Sequence, residues 1–231
     1  MSSSASTSAM PKAVLWDMDG TLVNTERYWM AAETALVESF GGTWTHEQAL
    51  TLVGKGLETS AAILQDAGVR MSSHEIVEHL TAEVMDALVE LGPPLRPGAL
   101  ELLTALRAEG VPCALVTMSL RRMAEQVVAA LPDGTFDLIV SGDDATRPKP
   151  FPDAYLQACA GLGIEPRDAV AIEDSPTGVR SAVTAGVATI GVPLMVSLEG
   201  TGAHALWPTL EGRTPSGIAD FHAARGAKGT E

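Results

Sequence analysis

The sequence predicts an α/β fold, a Rossmann-like parallel sheet core with helices on both faces and an inserted α-helical domain. Three observations lead there. Four short apolar runs each stop at polar residues, helical segments with clear punctuation lie between them, and residues 23–94 read as consecutive helices without a strand. Short continuous apolar runs are the pattern of strands covered on both faces. Their alternation with helices indicates a parallel sheet whose ligands bind at the carboxyl ends of the strands.

In chain order, residues 1–10 (MSSSASTSAM) are rich in Ser and Ala without apolar periodicity, and read as a disordered leader. Ala13 to Trp16 (AVLW) is the first strand and ends at Asp17. The insert, 23–94, reads as helices around 25–39, 45–52, 57–67 and 73–90; residues 11–22 and 95–231 form the core domain. Pro97 opens a helix that closes near Gly110. Cys113 to Val116 (CALV) is a strand ending at Thr117, followed by a helix from near Ser119 or Leu120. Leu138 to Val140 ends at Ser141, Pro152 opens a helix closing near Gly161 or Gly163, and Ala169 to Ile172 ends at Glu173 and Asp174. Ser175 and Pro176 read as an N-cap and first helical position. VPLMV, residues 192–196, is the candidate last strand; the Gly-, Thr- and Pro-rich stretch 199–217 suggests no element.

The formal charge of -14 argues against a nucleic-acid partner, whose phosphates require clustered Lys and Arg. The same charge repels a phosphorylated metabolite, so a site for one needs a metal ion and well-placed cations. Cys113 and Cys159, each in apolar surroundings, read as two buried free thiols. With no apolar run of about 18 residues and no secretory signal pattern, the chain reads as cytoplasmic, without a membrane partner.

The strand ends carry the chemistry. Asp17 and Asp19 in DMDGT leave the first strand two residues apart, so their carboxylates can share one metal or one substrate. Asp17 is the candidate nucleophile, because an ionised carboxylate can attack phosphorus once the repulsion between anions is cancelled. Asp19 is the candidate general acid and base. Glu173 and Asp174 bring further oxygens to the same crevice, a set suited to magnesium. Thr117, before a helix start with free N–H groups, is a candidate for a phosphate oxygen, with Met118 beside it; Ser119 reads as a simple cap. Lys149, in the proline-stiffened RPKPFPD loop, supplies the cation. Each motif alone has a bland reading: an Asp-Gly turn, a helix-end acid, a solvated lysine.

Together, Asp17-Met18-Asp19-Gly20-Thr21, Thr117, Lys149-Pro150 and Glu173-Asp174-Ser175 resemble, in order, the four signature motifs of the haloacid dehalogenase superfamily. The helical insert is similar to the cap of the subgroup holding sugar phosphatases, phosphoglycolate phosphatase and β-phosphoglucomutase. The resemblance implies Asp17 as nucleophile, Asp19 as acid and base, and Thr117 and Lys149 as phosphate clamp. It implies Asp174, Asp17 and the Asp19 backbone carbonyl as magnesium ligands, with Glu173 direct or through water. True dehalogenases lack the second acid, so Asp19 favours phosphate esters.

Asn24-Thr25-Glu26-Arg27-Tyr28-Trp29 resembles the D-S-E-x-x-W segment of sugar phosphatases, with Trp29 where the mutase has histidine. Thr59 stands where the mutase cap loop carries arginine. Trp29 and Lys55 are candidate substrate contacts from the cap. The expected activity is thus a magnesium-dependent phosphatase of a small phosphorylated metabolite, acting as a monomer or weak homodimer. The alternatives are a phosphomutase and a non-catalytic binding protein on the same fold. The cap is expected to close over the site, flexing at Gly41-Gly42 or Pro93-Pro94.

Overall fold

The computed structural model describes residues 9–228. β1 (Ala13–Trp16) is followed by the helices α1 (Glu26–Ser39), α2 (His46–Leu50), α3 (Leu57–Asp66) and α4 (Ser73–Leu91). Then come α5 (Ala99–Ala108), β2 (Cys113–Val116), α6 (Arg121–Ala129), β3 (Leu138–Val140) and α7 (Asp153–Leu162). A short 3-10 turn, Pro166–Asp168, leads to β4 (Ala169–Glu173), α8 (Pro176–Thr184), β5 (Ala188–Gly191), β6 (Ala205–Leu206) and α9 (Pro215–Lys228). The six strands make one parallel sheet in the order β3-β2-β1-β4-β5-β6. The order reverses between β1 and β4, and the crevice outside a parallel sheet's carboxyl edge at such a point is its natural ligand site.

Alternation along the strands builds a core on each face. Val14, Trp16, Cys113, Leu115, Val170 and Ile172 belong to the larger cluster, which extends into the insert. Ala13, Leu15, Ala114, Val116, Ala169 and Ala171 face the other way, against α7 and α8 residues such as Tyr155, Ala158 and Ala182. The alanines on that face let the two helices lie close to the sheet.

Helix ends follow their sequence signals. Thr45 and Ser72 form capping boxes with Gln48 and Glu75. Ser175 accepts from the Gly178 N–H, with Pro176 in the first turn of α8. The insert joins the core through a paired neck: Val23 and Leu95 form an antiparallel bridge, Asn24 N–H donates to Pro94 C=O (2.8 Å), and Arg96 N–H to Leu22 C=O (2.9 Å).

Several expectations need correction. VPLMV is not a strand: the edge of the sheet is built by Ala188–Gly191 before it and Ala205–Leu206 after it. Thr189 interrupts the apolar run of β5, which hides it from hydropathy. Residues 215–228, near the Gly- and Pro-rich tail, form α9. Pro97 precedes α5 by two residues, and Gly98, at a φ of +81°, forms the N-cap. The leader expectation for residues 1–8 lies outside the described residues, while Met10 already packs on the core. Gly41-Gly42 ends α1 inside the insert, so only the Pro93-Pro94 side belongs to the neck.

Candidate active site

Asp17 follows β1 directly, its N–H bonded to Ile172 C=O of β4 at 3.1 Å. The chain then folds into a tight turn in which Leu22 N–H donates to Met18 C=O (2.9 Å) and Gly20 N–H to Val23 C=O (2.8 Å). Gly20 has a φ of +84°, and a Cβ there would overlap the Asp174 carboxylate. Glycine is required twice over, by backbone conformation and by space.

The Asp17 and Asp19 side chains diverge. Lys149 Nζ donates to Asp17 Oδ1 (2.6 Å), to Glu173 Oε1 (2.6 Å) and to Val116 C=O (2.9 Å). The Tyr155 hydroxyl donates to the same Glu173 oxygen at 2.7 Å, and Ser175 Oγ to Glu173 Oε2 at 3.3 Å. Asp19 points instead toward the insert. Its Oδ1 accepts from Thr25 Oγ1 (2.5 Å) and Trp29 Nε1 (3.1 Å), and its Oδ2 from Ser119 Oγ (2.6 Å) and Thr117 Oγ1 (3.4 Å). One carboxylate is thus tied to a buried cation, the other aimed by neutral donors from both the insert and the core.

Ligand oxygens of Asp17, Glu173 and Asp174 lie within 4.8 Å of one another. Asp174 Oδ1 accepts from Thr21 Oγ1 at 3.4 Å, while its Oδ2 is buried with no hydrogen-bond partner among the described residues. An orphaned buried carboxylate oxygen is costly. In a cluster of three carboxylates it fits a small hard divalent cation, which prefers carboxylate oxygens. The Asp19 carboxylate lies outside this trio and faces the cavity instead, among Thr25, Trp29, Ser119 and Thr117.

Electrostatics agree. Burial, then Glu173, push the Asp17 carboxyl up from 3.8 to about 7, against the lowering pull of Lys149. Burial and the neighbouring Asp17 and Glu173 hold Asp174 well above the usual carboxylate range. Burial alone would lower the Lys149 ammonium, but Asp17 and Glu173 outweigh it and hold it above its ordinary value. Three carboxyl groups, Asp17, Glu173 and Asp174, beside one ammonium leave negative charge that a further cation would neutralise.

Between these residues and the insert lies a cavity of about 80 Å³. Asp17, Asp19, Thr117, Met118, Lys149, Trp29 and Lys55 all line it, so the structure brings together every one of the candidates near one space; Glu173 and Asp174 stand beside Asp17. Met118 also accepts the Lys149 N–H on its sulfur at 3.2 Å, which braces the lysine loop. Ser119 does not cap α6, whose N-cap is Leu120; its hydroxyl serves Asp19. Ser119, two residues past Thr117, escaped because the helix start was placed too early.

Sequence reading also missed Tyr155, Glu26, Glu33 and Arg96. Glu26 and Glu33 line the cavity from one face of α1, two turns apart. Burial, and then Asp19, raise Glu26 from 4.5 to about 8. Arg96 is 8% exposed and donates to the Gly20 (2.6 Å) and Val192 (2.8 Å) carbonyls, bracing the floor of the site. A lone arginine before a proline gives no sequence signal for that role.

The same architecture occurs elsewhere. The chain is 32% identical over 193 residues to Protein CbbY of Rhodobacter capsulatus, covering 79% of this chain and 85% of that protein. It is 31% identical over 188 residues to Hexitol phosphatase B of Escherichia coli, covering 78% and 83%. The structure of CbbY from Rhodobacter sphaeroides in complex with xylulose-(1,5)bisphosphate superposes with a TM-score of 0.80 at 27% identity, covering 88% of this chain and 96% of that one. The family model for haloacid dehalogenase-like hydrolases matches residues 14–192, a span that runs from β1 through the end of β5 and takes in every carboxylate of the cluster, and this chain belongs to that family.

Proposed function

We propose that this chain is a magnesium-dependent phosphatase that hydrolyses a small phosphorylated metabolite, of sugar or sugar-alcohol type, through an aspartyl-phosphate. The observation that carries this reading is the pair of carboxylates at the end of β1 with opposite surroundings: Asp17 tied to Lys149, and Asp19 held by four neutral donors at the cavity wall. A nucleophile needs its negative charge offset, and Lys149 opposes the rise that burial and Glu173 give the Asp17 carboxyl; an acid and base must reach the leaving oxygen, and Asp19 stands at the cavity wall.

Asp17 attacks phosphorus, while Lys149 offsets charge on Asp17 and on the phosphoryl oxygens. Asp19 protonates the departing alcohol oxygen, then takes a proton from the water that attacks the aspartyl-phosphate. Thr117 contributes its hydroxyl to a phosphoryl oxygen. Asp17, Asp174 and the Asp19 backbone carbonyl would hold magnesium, with Glu173 shared between the ion and Lys149. Bound there, the ion supplies positive charge against the repulsion between phosphate and carboxylates.

Helices α1–α4 serve as a cap, supplying Trp29, Lys55, Glu26 and Glu33 to the leaving-group end of the cavity. The names of CbbY's ligand and of hexitol phosphatase B support a polyhydroxylated leaving group. No helix among the described residues is long and apolar enough to cross a membrane. On this proposal the enzyme works in the cytoplasm as a monomer or weak homodimer.

A screen of sugar and sugar-alcohol phosphates with magnesium tests this, reading free phosphate and rearranged sugar phosphate together for the native chain and Asp17→Asn. Free phosphate from the native chain alone is expected. Rearranged product instead of phosphate would mark a mutase, and activity surviving in Asp17→Asn would remove the nucleophile.

A further inference from the structure

The turn between α2 and α3, residues 51–56, reaches from the insert to the core and meets it at the start of α8. There the Thr177 hydroxyl donates to the Gly54 carbonyl. Gly54 has a φ of +71°, and a Cβ on it would stand 2.5 Å from Ser175 Cβ and 3.0 Å from Thr177 Oγ1. Any side chain would therefore lift the turn off α8. Ser175 Oγ lies 3.4 Å from Thr177 Oγ1 and 3.3 Å from Glu173 Oε2, so the contact continues into the cluster around Lys149.

Lys55 follows Gly54, its N–H closing the turn on Leu52 C=O at 2.9 Å, and is among the residues that line the cavity with Asp17, Asp19 and Lys149. Elsewhere the insert meets the core through Arg122 to Glu78 at 3.0 Å and Gln126 to Met85 C=O at 2.9 Å, between α6 and α4, and through Thr25 and Trp29 to Asp19. Thr177 has no part in the chemistry described above.

We propose that Thr177 is a positioning residue: its hydroxyl docks the 51–56 turn onto α8 and thereby holds Lys55 over the leaving-group end of the cavity. The inference rests on the phosphatase reading, with Lys55 as a second cation opposite the acid-rich wall. A lysine on a flexible four-carbon stem contributes little unless its backbone is fixed, because the attraction falls with distance and with access of water. Gly54 and Thr177 fix that backbone one residue away.

The test is steady-state phosphate release from sorbitol 6-phosphate and p-nitrophenyl phosphate by the native chain and four variants. These are Thr177→Val, Thr177→Ser, Lys55→Met and the Thr177→Val/Lys55→Met pair. Losing the hydrogen bond is expected to raise KM for sorbitol 6-phosphate about tenfold in Thr177→Val, with kcat within about twofold. Thr177→Ser should behave as the native chain, and the double variant should be no worse than Lys55→Met, since coupled residues are not additive. Hydrogen–deuterium exchange of residues 51–56 should quicken in Thr177→Val at an unchanged melting temperature.

An unchanged KM in Thr177→Val, additive losses in the pair, no rescue by serine, or unchanged exchange would each overturn the inference. p-Nitrophenyl phosphate separates the two claims. No release from either substrate by the native chain sinks the phosphatase reading and this inference with it, whereas release with a KM for sorbitol 6-phosphate indifferent to Thr177 sinks this inference alone.

Discussion

Lys149 Nζ stands 2.6 Å from Asp17 Oδ1 with both side chains almost wholly withdrawn from water, and the same ammonium reaches Glu173 at 2.6 Å. Removing one partner of a buried ion pair leaves the other charge uncompensated and costs about 3–5 kcal/mol. Lys149→Met is therefore expected to lower stability on that scale and to abolish phosphate release. Lys149→Arg is expected to fail as well. The ammonium is a compact donor shared among Asp17, Glu173 and the Val116 carbonyl beside the Tyr155 ring, and a planar fork does not fit that arrangement. Chemical denaturation with and without phosphate, beside turnover of both variants, checks this; an active arginine variant would contradict the geometry.

The two β1-end carboxylates should separate kinetically. Asp17→Asn removes the attacking oxygen and is expected to cost at least about 10³-fold in kcat. Asp19→Asn keeps the shape that Thr25, Trp29, Ser119 and Thr117 hold, and is expected to cost about 10²- to 10⁴-fold. With an aryl phosphate whose leaving group needs no proton, a rapid first turnover should survive in Asp19→Asn and vanish in Asp17→Asn. Equal loss of that burst in both would refute the division of labour.

Much of this site was legible before any coordinates, because each key residue stops an apolar run. Asp17, Thr117 and Asp174 are where β1, β2 and β4 meet polar sequence, and a parallel sheet carries such ends to one edge. The four insert helices lie close to the ranges read from the sequence, and Thr45 and Ser72 cap two of them. What stayed hidden depends on tertiary approach. Tyr155 sits in the first turn of α7 with no mark of its bond to Glu173. Arg96 acts through carbonyls of segments about 76 and 96 residues away in sequence, and no local pattern encodes that. β5 and β6 were missed because a threonine-containing run and a two-residue edge strand give no periodicity.

Glu33 gives the stability a pH dependence of known sign. Burial raises its carboxyl from 4.5 to about 7, against the lowering effect of the bond from Trp44 Nε1 at 3.4 Å. With the folded value above the unfolded one, the contribution is fully present below pH 4.5. It is lost as pH rises through about 7, amounting to roughly 3 kcal/mol across that window. Glu33→Gln removes the titration. Its melting temperature relative to the native chain should climb between pH 4.5 and 7 and then level off, while parallel curves would show that Glu33 titrates as an ordinary surface acid.

Gly178 sets two effects of opposite sign against each other. It lies in the first turn of α8, where alanine would favour the helix by about 1 kcal/mol. A Cβ there would overlap the Glu173 carboxylate, which is wholly buried and held by Lys149, Tyr155 and Ser175. Glu173 cannot yield without breaking those bonds, and overpacking a tight site typically costs about 1–3 kcal/mol, so the clash wins. Gly178→Ala should melt lower than the native chain. Because Glu173 orients Lys149 toward Asp17, kcat should fall about 10- to 100-fold, the usual scale for disturbing a supporting partner. A variant that melted higher with full turnover would mean that Glu173 has room to move, and that the bonds from Lys149 and Tyr155 do not fix it.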